Sequence, residues 1–324
     1  MSLSTVTFFT PVLDGLQEVE QLLRRQADDD HPDLRAALEH LLSSGGKRIR
    51  PALALLTGQM LGGPHDKLVT LAAAVELLHT ATLVHDDLID GALLRRGMPT
   101  LNTRWSPAAT VLTGDFMFSH AARLAADTDN LPLIKHFAET LSTIVNGELT
   151  QLFSARGVVS QENYYQRIYA KTASLMEMTT RAAAMVSSVD DSVTEDLRQY
   201  GYHLGMAFQI VDDILDFTGE QAEVGKTVGS DLLQGLVTLP TLYYLEDHPD
   251  QAEVRILVAG DYSGRREQME SLVQSIRASD AIRRSLEKAH EYVDRAVEKL
   301  AGMPEGTEKQ ALLDLAGYIV DRRL

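Results

Sequence analysis

Cysteine is absent from the 324 residues, which excludes disulfides, thiolate metal sites, iron–sulfur clusters and a cysteine nucleophile. Basic residues are scarce: 30 Lys and Arg stand against 46 Asp and Glu, a formal net charge of −16. A general nucleic-acid binder needs spare surface cations to neutralise phosphates, so that class is disfavoured. No basic-then-apolar signal pattern occupies Met1 to Pro11. The most membrane-like run, Leu68 to Val84, is interrupted by Glu76 and His79 and falls short of a span. A cytoplasmic protein without a transmembrane segment is the expectation. With 44% hydrophobic and 23% charged residues, the chain has the composition of a packed globular protein rather than a disordered one.

Strand-like alternation is also lacking. Apolar residues recur instead at helical spacing along nearly the whole chain. Leu68, Leu71, Ala72, Val75, Leu78, Thr82 and Ile89 share one broad face of a helix expected from about Lys67 to Asp90. Further helices are expected over 51–61, 108–126, 131–153, 161–186, 195–217, 236–245, 281–300 and 309–321. Pro51 suits a first helical turn, and Ser192 with Glu195 forms a capping-box pattern. Gly- and Pro-containing breaks fall at 62–64, 127–130, 157–160 and 302–306. The least regular segment is 218–234. No low-complexity linker divides the chain, so it reads as a single all-α domain over 1–324.

Two acidic clusters have the form DDxxD: Asp86, Asp87 and Asp90, then Asp212, Asp213 and Asp216. Residues four apart on a helix share a face and lie roughly 6 Å apart along its axis. Each cluster thus sets carboxylates side by side at the C-terminal end of an apolar helix, where the helix dipole disfavours negative charge. A solvated helix end would account for one such cluster; two of the same form point to bound cations. Oxygen-only ligands favour Mg²⁺ or Mn²⁺, and Mg²⁺ commonly bridges carboxylates to substrate phosphates.

The few cations are concentrated near glycines. Gly45-Gly46-Lys47-Arg48-Ile49-Arg50-Pro51 places three of them in four positions before a helix, a pattern able to hold phosphate. Arg95-Arg96-Gly97 follows the first acidic cluster. Each alone would pass for a solvated turn. There is no Walker loop, no HExxH zinc motif and no evident Ser-His-Asp arrangement. Metal-assisted chemistry on a diphosphate is the simplest reaction class that uses every part.

From about Leu34 to the C-terminus the sequence resembles the trans-isoprenyl diphosphate synthases, the polyprenyl synthetase family. The resemblance is carried by GGKRIRP (45–51), HTATLVHDDLID (79–90), RRG (95–97), GELTQ (147–151), KTASL (171–175), FQIVDDILD (208–216) and GKTVGSDLLQG (225–235). It implies a bundle of about ten or more helices around a deep apolar cavity, the isoprenoid synthase fold, in a homodimer. It implies Mg²⁺ as cofactor, about three ions with substrate bound, Mn²⁺ being possible. By motif, Asp86, Asp90 and Asp212 would bind metal, with Asp87, Asp213 and Asp216 in support. Lys47, Arg50, His79 and Arg96 correspond to the isopentenyl diphosphate site. Arg95, Lys171, Thr172, Gln209 and Lys226 correspond to the allylic diphosphate site. Ala81 and Thr82 stand where bulky residues often limit the product in short-chain relatives. Their small size implies a product of geranylgeranyl length or longer. One position departs: Leu236 follows Gly235 where many members have Lys, so a cation that often helps hold the allylic diphosphate is missing.

Two rivals remain. A class I terpene cyclase shares DDxxD, but its second motif usually carries Ser or Thr where this chain has Asp216, and it needs no second diphosphate site. A silent partner subunit would be expected to lose an acidic motif, and both are intact.

Overall fold

The computed structural model describes residues 7–27, 31–43, 45–153, 160–219, 228–260 and 264–322. Their helices are α1 (Leu13–Arg24), α2 (Pro32–Ser43), α3 (Ile49–Met60), α4 (His65–Ile89), α5 (Pro107–Ala126), α6 (Leu131–Phe153), α7 (Gln161–Ile168) and α8 (Ser174–Val186). There follow α9 (Asp191–Thr218), α10 (Ser230–Leu233), α11 (Leu239–Asp247), α12 (Ala252–Val258), α13 (Arg266–Arg277), α14 (Ala281–Lys299) and α15 (Thr307–Asp321). The all-α expectation holds. The single sheet among the described residues is a two-stranded ribbon, Leu94–Arg95 against Met98–Pro99.

The described residues form two compact units, each assembled from three stretches of chain. The first comprises 1–140, 178–198 and 302–314; the second comprises 141–177, 199–301 and 315–324.

In the first unit, α4 is the central element and packs against α1, α3 and α5. It is long and apolar enough to cross a membrane, yet most of that apolar length is buried in the structure, as in a core helix. An antiparallel register on α5 follows from contacts near its two ends. His85 Nε2–H donates to the Val111 carbonyl at 3.0 Å, and Lys67 Nζ donates to the Thr128 carbonyl at 2.9 Å. Gly114 lies directly under the His85 ring, so a side chain there would collide with it. Gly58 of α3 gives Leu68 of α4 the same close approach.

Helix boundaries have local causes. Ser106 caps α5 by accepting the Ala109 N–H, with Pro107 in the first turn. Gly91, at φ 63°, stops α4 just past Asp90. There the Ala92 N–H reaches back to the Asp87 carbonyl, which satisfies a helix-end acceptor. The Ser192–Glu195 capping box is not formed. Helix α9 begins at Asp191, with the Thr194 N–H already donating to the Asp190 carbonyl, so Ser192 lies inside the first turn. Five of the described helices, α1, α2, α10, α12 and α13, lie outside the stretches expected from sequence.

In the second unit the expected continuous helix over 161–186 is interrupted. Tyr169–Ala173 forms a π-helical turn between α7 and α8. Two glycines make room for it. A Cβ on Gly147 of α6 would lie 2.6 Å from Ala170 Cβ, and one on Gly205 of α9 only 2.5 Å from Ala173 Cα. Single π turns inside α-helices are frequent at functional sites.

Candidate active site

The first acidic motif occupies the last turn and C-cap of α4. Asp87 is buried, Asp86 is half-buried and Asp90 is exposed. Arg95 clamps Asp87, with Nε at 2.8 and 3.0 Å from its two carboxylate oxygens and Nη2 at 2.8 Å. That clamp depends on the ribbon. Arg96 and Gly97 both have positive φ, at 51° and 75°, the geometry of a two-residue type I′ hairpin turn. The turn folds the strand back and directs Arg95 toward α4. His40 Nε2 lies 2.7 Å from the Pro99 carbonyl and ties the ribbon to α2.

Cations gather around His79, less than two turns before Asp86 on the same helix. Arg50 Nη1 donates to His79 Nε2 at 3.1 Å. Burial first, then the positive charges of Arg50, Arg96, Arg95 and Arg48, hold the His79 pKa well below its usual 6.5. His79 is therefore neutral at pH 7 and does not add a fifth charge. Arg96 donates to the Gly45 carbonyl and bridges the ribbon to the glycine loop. Arg48 has a structural task. It sits in the left-handed region at φ 49° and pairs at 2.6 Å with Glu76, whose side chain is only 7% exposed, while Nη2 holds the Leu42 carbonyl. Lys47 is exposed and Arg50 half-buried. Lys47, Arg50, His79, Arg95 and Arg96 thus share one unit with Asp86 and Asp90.

The second acidic motif lies in the last turns of α9. Asp213 is buried and bound on both oxygens: the Tyr164 hydroxyl donates to Oδ2 at 2.8 Å and Gln209 Nε2 to Oδ1 at 2.9 Å. Gln209 Oε1 in turn accepts the Thr172 hydroxyl at 2.7 Å. Burial raises the Asp213 carboxyl to about 7, against the lowering effect of those two donors. Asp216 accepts from the Ser230 hydroxyl at 2.8 Å and the Asp231 N–H at 3.2 Å, and so holds the start of α10. Asp212 is 39% exposed and pairs with Arg322 at 2.8 Å. Lys171, in the π turn, pairs with Glu148 of the GELTQ segment at 2.6 Å.

Tyr164, Glu148, Glu76 and Arg322 are site neighbours that sequence reasoning missed. Only Glu148 lay inside a motif credited to the site's own segments. Lys226 lies outside the described residues. Ala81 is fully buried, while Thr82 is half-buried with its hydroxyl on the His79 carbonyl at 2.7 Å. Leu236 is half-buried, and its neighbour Val237 gives its carbonyl to Arg167 at 2.6 Å.

The donors suit a hard divalent cation. They are carboxylate oxygens at i, i+4 spacing on helix ends, with no thiolate and with nearby guanidinium groups for a polyanion. Asp86 and Asp90 can serve as direct ligands. Asp87, Asp213 and Asp216 are held by protein donors and can orient their neighbours.

Comparison with known proteins agrees with this chemistry. The family model for polyprenyl synthetase matches residues 31–276. A prenyl transferase of Synechocystis is 37% identical over 330 residues, covering 99% of each chain. Component 2 of the heptaprenyl diphosphate synthase of Geobacillus stearothermophilus is 38% identical over 310 residues, covering 95% of this chain and 96% of its own. The crystal structure of a Caulobacter crescentus polyprenyl synthase, complexed with calcium and isoprenyl diphosphate, superposes with a TM-score of 0.90. It is 34% identical and covers 100% of this chain and 98% of its own.

Proposed function

The chain belongs to the polyprenyl synthetase family and is a trans-prenyltransferase, and from this we propose that it joins isopentenyl diphosphate head-to-tail to an allylic diphosphate. The product is a polyprenyl diphosphate of geranylgeranyl length or longer, and the chain works as one polyprenyl synthetase domain in a cytoplasmic homodimer. The observation that carries the reading is the charge pattern of the first unit. Neutral His79 sits among four arginines on the helix that ends in Asp86 and Asp90. Such a surface suits an anion that arrives with its own divalent cations.

Lys47, Arg50, His79 and Arg96 bind isopentenyl diphosphate. Lys171, Thr172, Gln209, Arg95 and Lys226 bind the allylic diphosphate. Asp86, Asp90 and Asp212 hold Mg²⁺, which when bound neutralises charge on the leaving diphosphate. Asp87, Asp213 and Asp216 fix neighbouring groups. As the allylic C–O bond breaks, a carbocation develops. The alkene of isopentenyl diphosphate attacks it to form the new C–C bond, and the departing diphosphate takes the proton that is lost. The residues contribute position and charge, without a covalent enzyme intermediate. Small Ala81 and Thr82 let the growing tail pass, and the heptaprenyl relative supports a long product.

The same relative is one component of its enzyme, which favours a second reading: a subunit that needs a partner chain. Incubating the purified chain alone with Mg²⁺, isopentenyl diphosphate and a panel of allylic primers, then sizing the products, separates the two. Condensation by the chain alone, lost in excess chelator and reduced by several orders of magnitude in Asp86→Ala, is the expected result. Turnover in excess chelator, or no product without an added partner, would overturn the reading.

A further inference from the structure

All three carboxylates of the second acidic motif are engaged by protein groups, and the partner of Asp212 is the least expected. Arg322 comes from the end of α15, outside the residues matched by the family model. Its side chain is only 5% exposed. Nη1 donates to Asp212 Oδ1 at 2.8 Å, Nη2 to the Phe208 carbonyl at 3.4 Å and Nε to the Ile319 carbonyl at 3.3 Å. The guanidinium also lies 4.0 Å from the centroid of the Phe208 ring. Four anchors on two helices make this a built-in cation rather than a surface arginine that finds a carboxylate. A buried guanidinium is desolvated, and losing its carboxylate would leave its charge uncompensated.

The consequence for cation binding is electrostatic. A divalent ion approaching Asp212 meets a carboxylate already neutralised by a fixed positive charge, and like charges repel strongly where water is scarce. Asp213 and Asp216 are likewise engaged, their oxygens accepting from Tyr164, Gln209, Ser230 and the Asp231 N–H. We propose that Arg322 closes the second acidic motif to free divalent cations, so that Asp212 takes up metal only together with a diphosphate. Two added phosphate groups supply the negative charge that Arg322 cancels. Asp212 then responds to the ion–diphosphate complex rather than to the ion alone. The inference rests on the proposed role of Asp212 as a metal ligand.

The test measures Mn²⁺ binding directly, by the loss of the free-ion electron paramagnetic resonance signal, on the full chain with and without inorganic pyrophosphate. Without pyrophosphate, Arg322→Met should bind Mn²⁺ about tenfold more tightly than wild type or take up an additional ion. Arg322→Lys, which keeps the charge, should stay close to wild type, and Asp212→Asn added to Arg322→Met should abolish the gain. A second arm leaves Arg322 in place and holds even if its variants do not fold. Asp212→Asn alone should leave Mn²⁺ binding unchanged without pyrophosphate and weaken it when pyrophosphate is present. Arg322→Met binding no tighter than wild type, or Asp212→Asn losing Mn²⁺ without pyrophosphate, would overturn the inference. An Asp212→Asn variant that binds like wild type under both conditions would instead show that Asp212 is not a ligand at all, and the proposed metal site would fall.

Discussion

Replacing Gly205 by alanine tests the link between helix packing and the π turn that carries Lys171 and Thr172. The new methyl would stand 2.5 Å from Ala173 Cα, 2.9 Å from its Cβ and 3.3 Å from its carbonyl oxygen. Two of these three atoms are backbone, so no side-chain rotation relieves the contact. Alanine in a helix interior gains about 1 kcal/mol over glycine from conformational entropy alone. Overpacking of a tight contact costs about 1–3 kcal/mol. The balance is a net loss of up to about 2 kcal/mol, or up to about 3 °C in Tm for a chain of this length. Gly317 in α15 is the control: nothing lies within 4 Å of its added Cβ, so Gly317→Ala should stabilise by about 0.5–1 kcal/mol. Denaturant unfolding monitored by circular dichroism measures both. Because α9 would push on the π turn, Gly205→Ala should also raise KM for the allylic diphosphate by about tenfold, with KM for isopentenyl diphosphate little changed. A Gly205→Ala protein as stable as Gly317→Ala, with wild-type KM for both substrates, would refute the reasoning.

Burial raises Asp213 to about 7 from an ordinary 3.8, so the folded chain keeps a proton that the unfolded chain has lost. Its contribution is therefore full below about pH 4 and lost as pH rises through 7. Stability should fall by about 1 kcal/mol between pH 6 and 8. Subtracting the Asp213→Asn profile isolates this fall from the titration of His79; a flat difference would count against it. Arg50→Ala should raise KM for isopentenyl diphosphate far more than KM for primer, by about tenfold or more, and equal effects would show that the two substrate roles are misassigned. Ala81→Phe should shift product sizing toward farnesyl while condensation persists, and an unchanged product distribution would remove Ala81 from chain-length control.

Most of the helical frame is readable from periodicity. Helix α6 has the residue limits expected from sequence, and α4, α5, α14 and α15 differ by at most two residues at either end. The misses have physical reasons. In α13 the buried Met269, Leu272, Val273 and Ile276 follow helical spacing, but they are diluted by a strongly charged exterior. The ribbon rests on two positive-φ residues, Arg96 and Gly97, and is too short for an alternating pattern. The π turn inserts one residue into a helical run, and apolar periodicity tolerates that without a break.

Sequence by itself determined that carboxylates at i, i+4 end two long helices and that cations cluster near glycines. Those features depend only on local spacing and on helix geometry. Which carboxylate is already occupied was decided by tertiary structure. The Arg95–Asp87 clamp spans only eight residues, yet it needs the I′ turn to point the guanidinium back. Tyr164 reaches Asp213 across 49 residues, and Arg322 reaches Asp212 across 110. No periodicity records such pairings. They arise because burying a carboxylate or a guanidinium without a partner is so costly that the folded chain must supply one from wherever packing brings it.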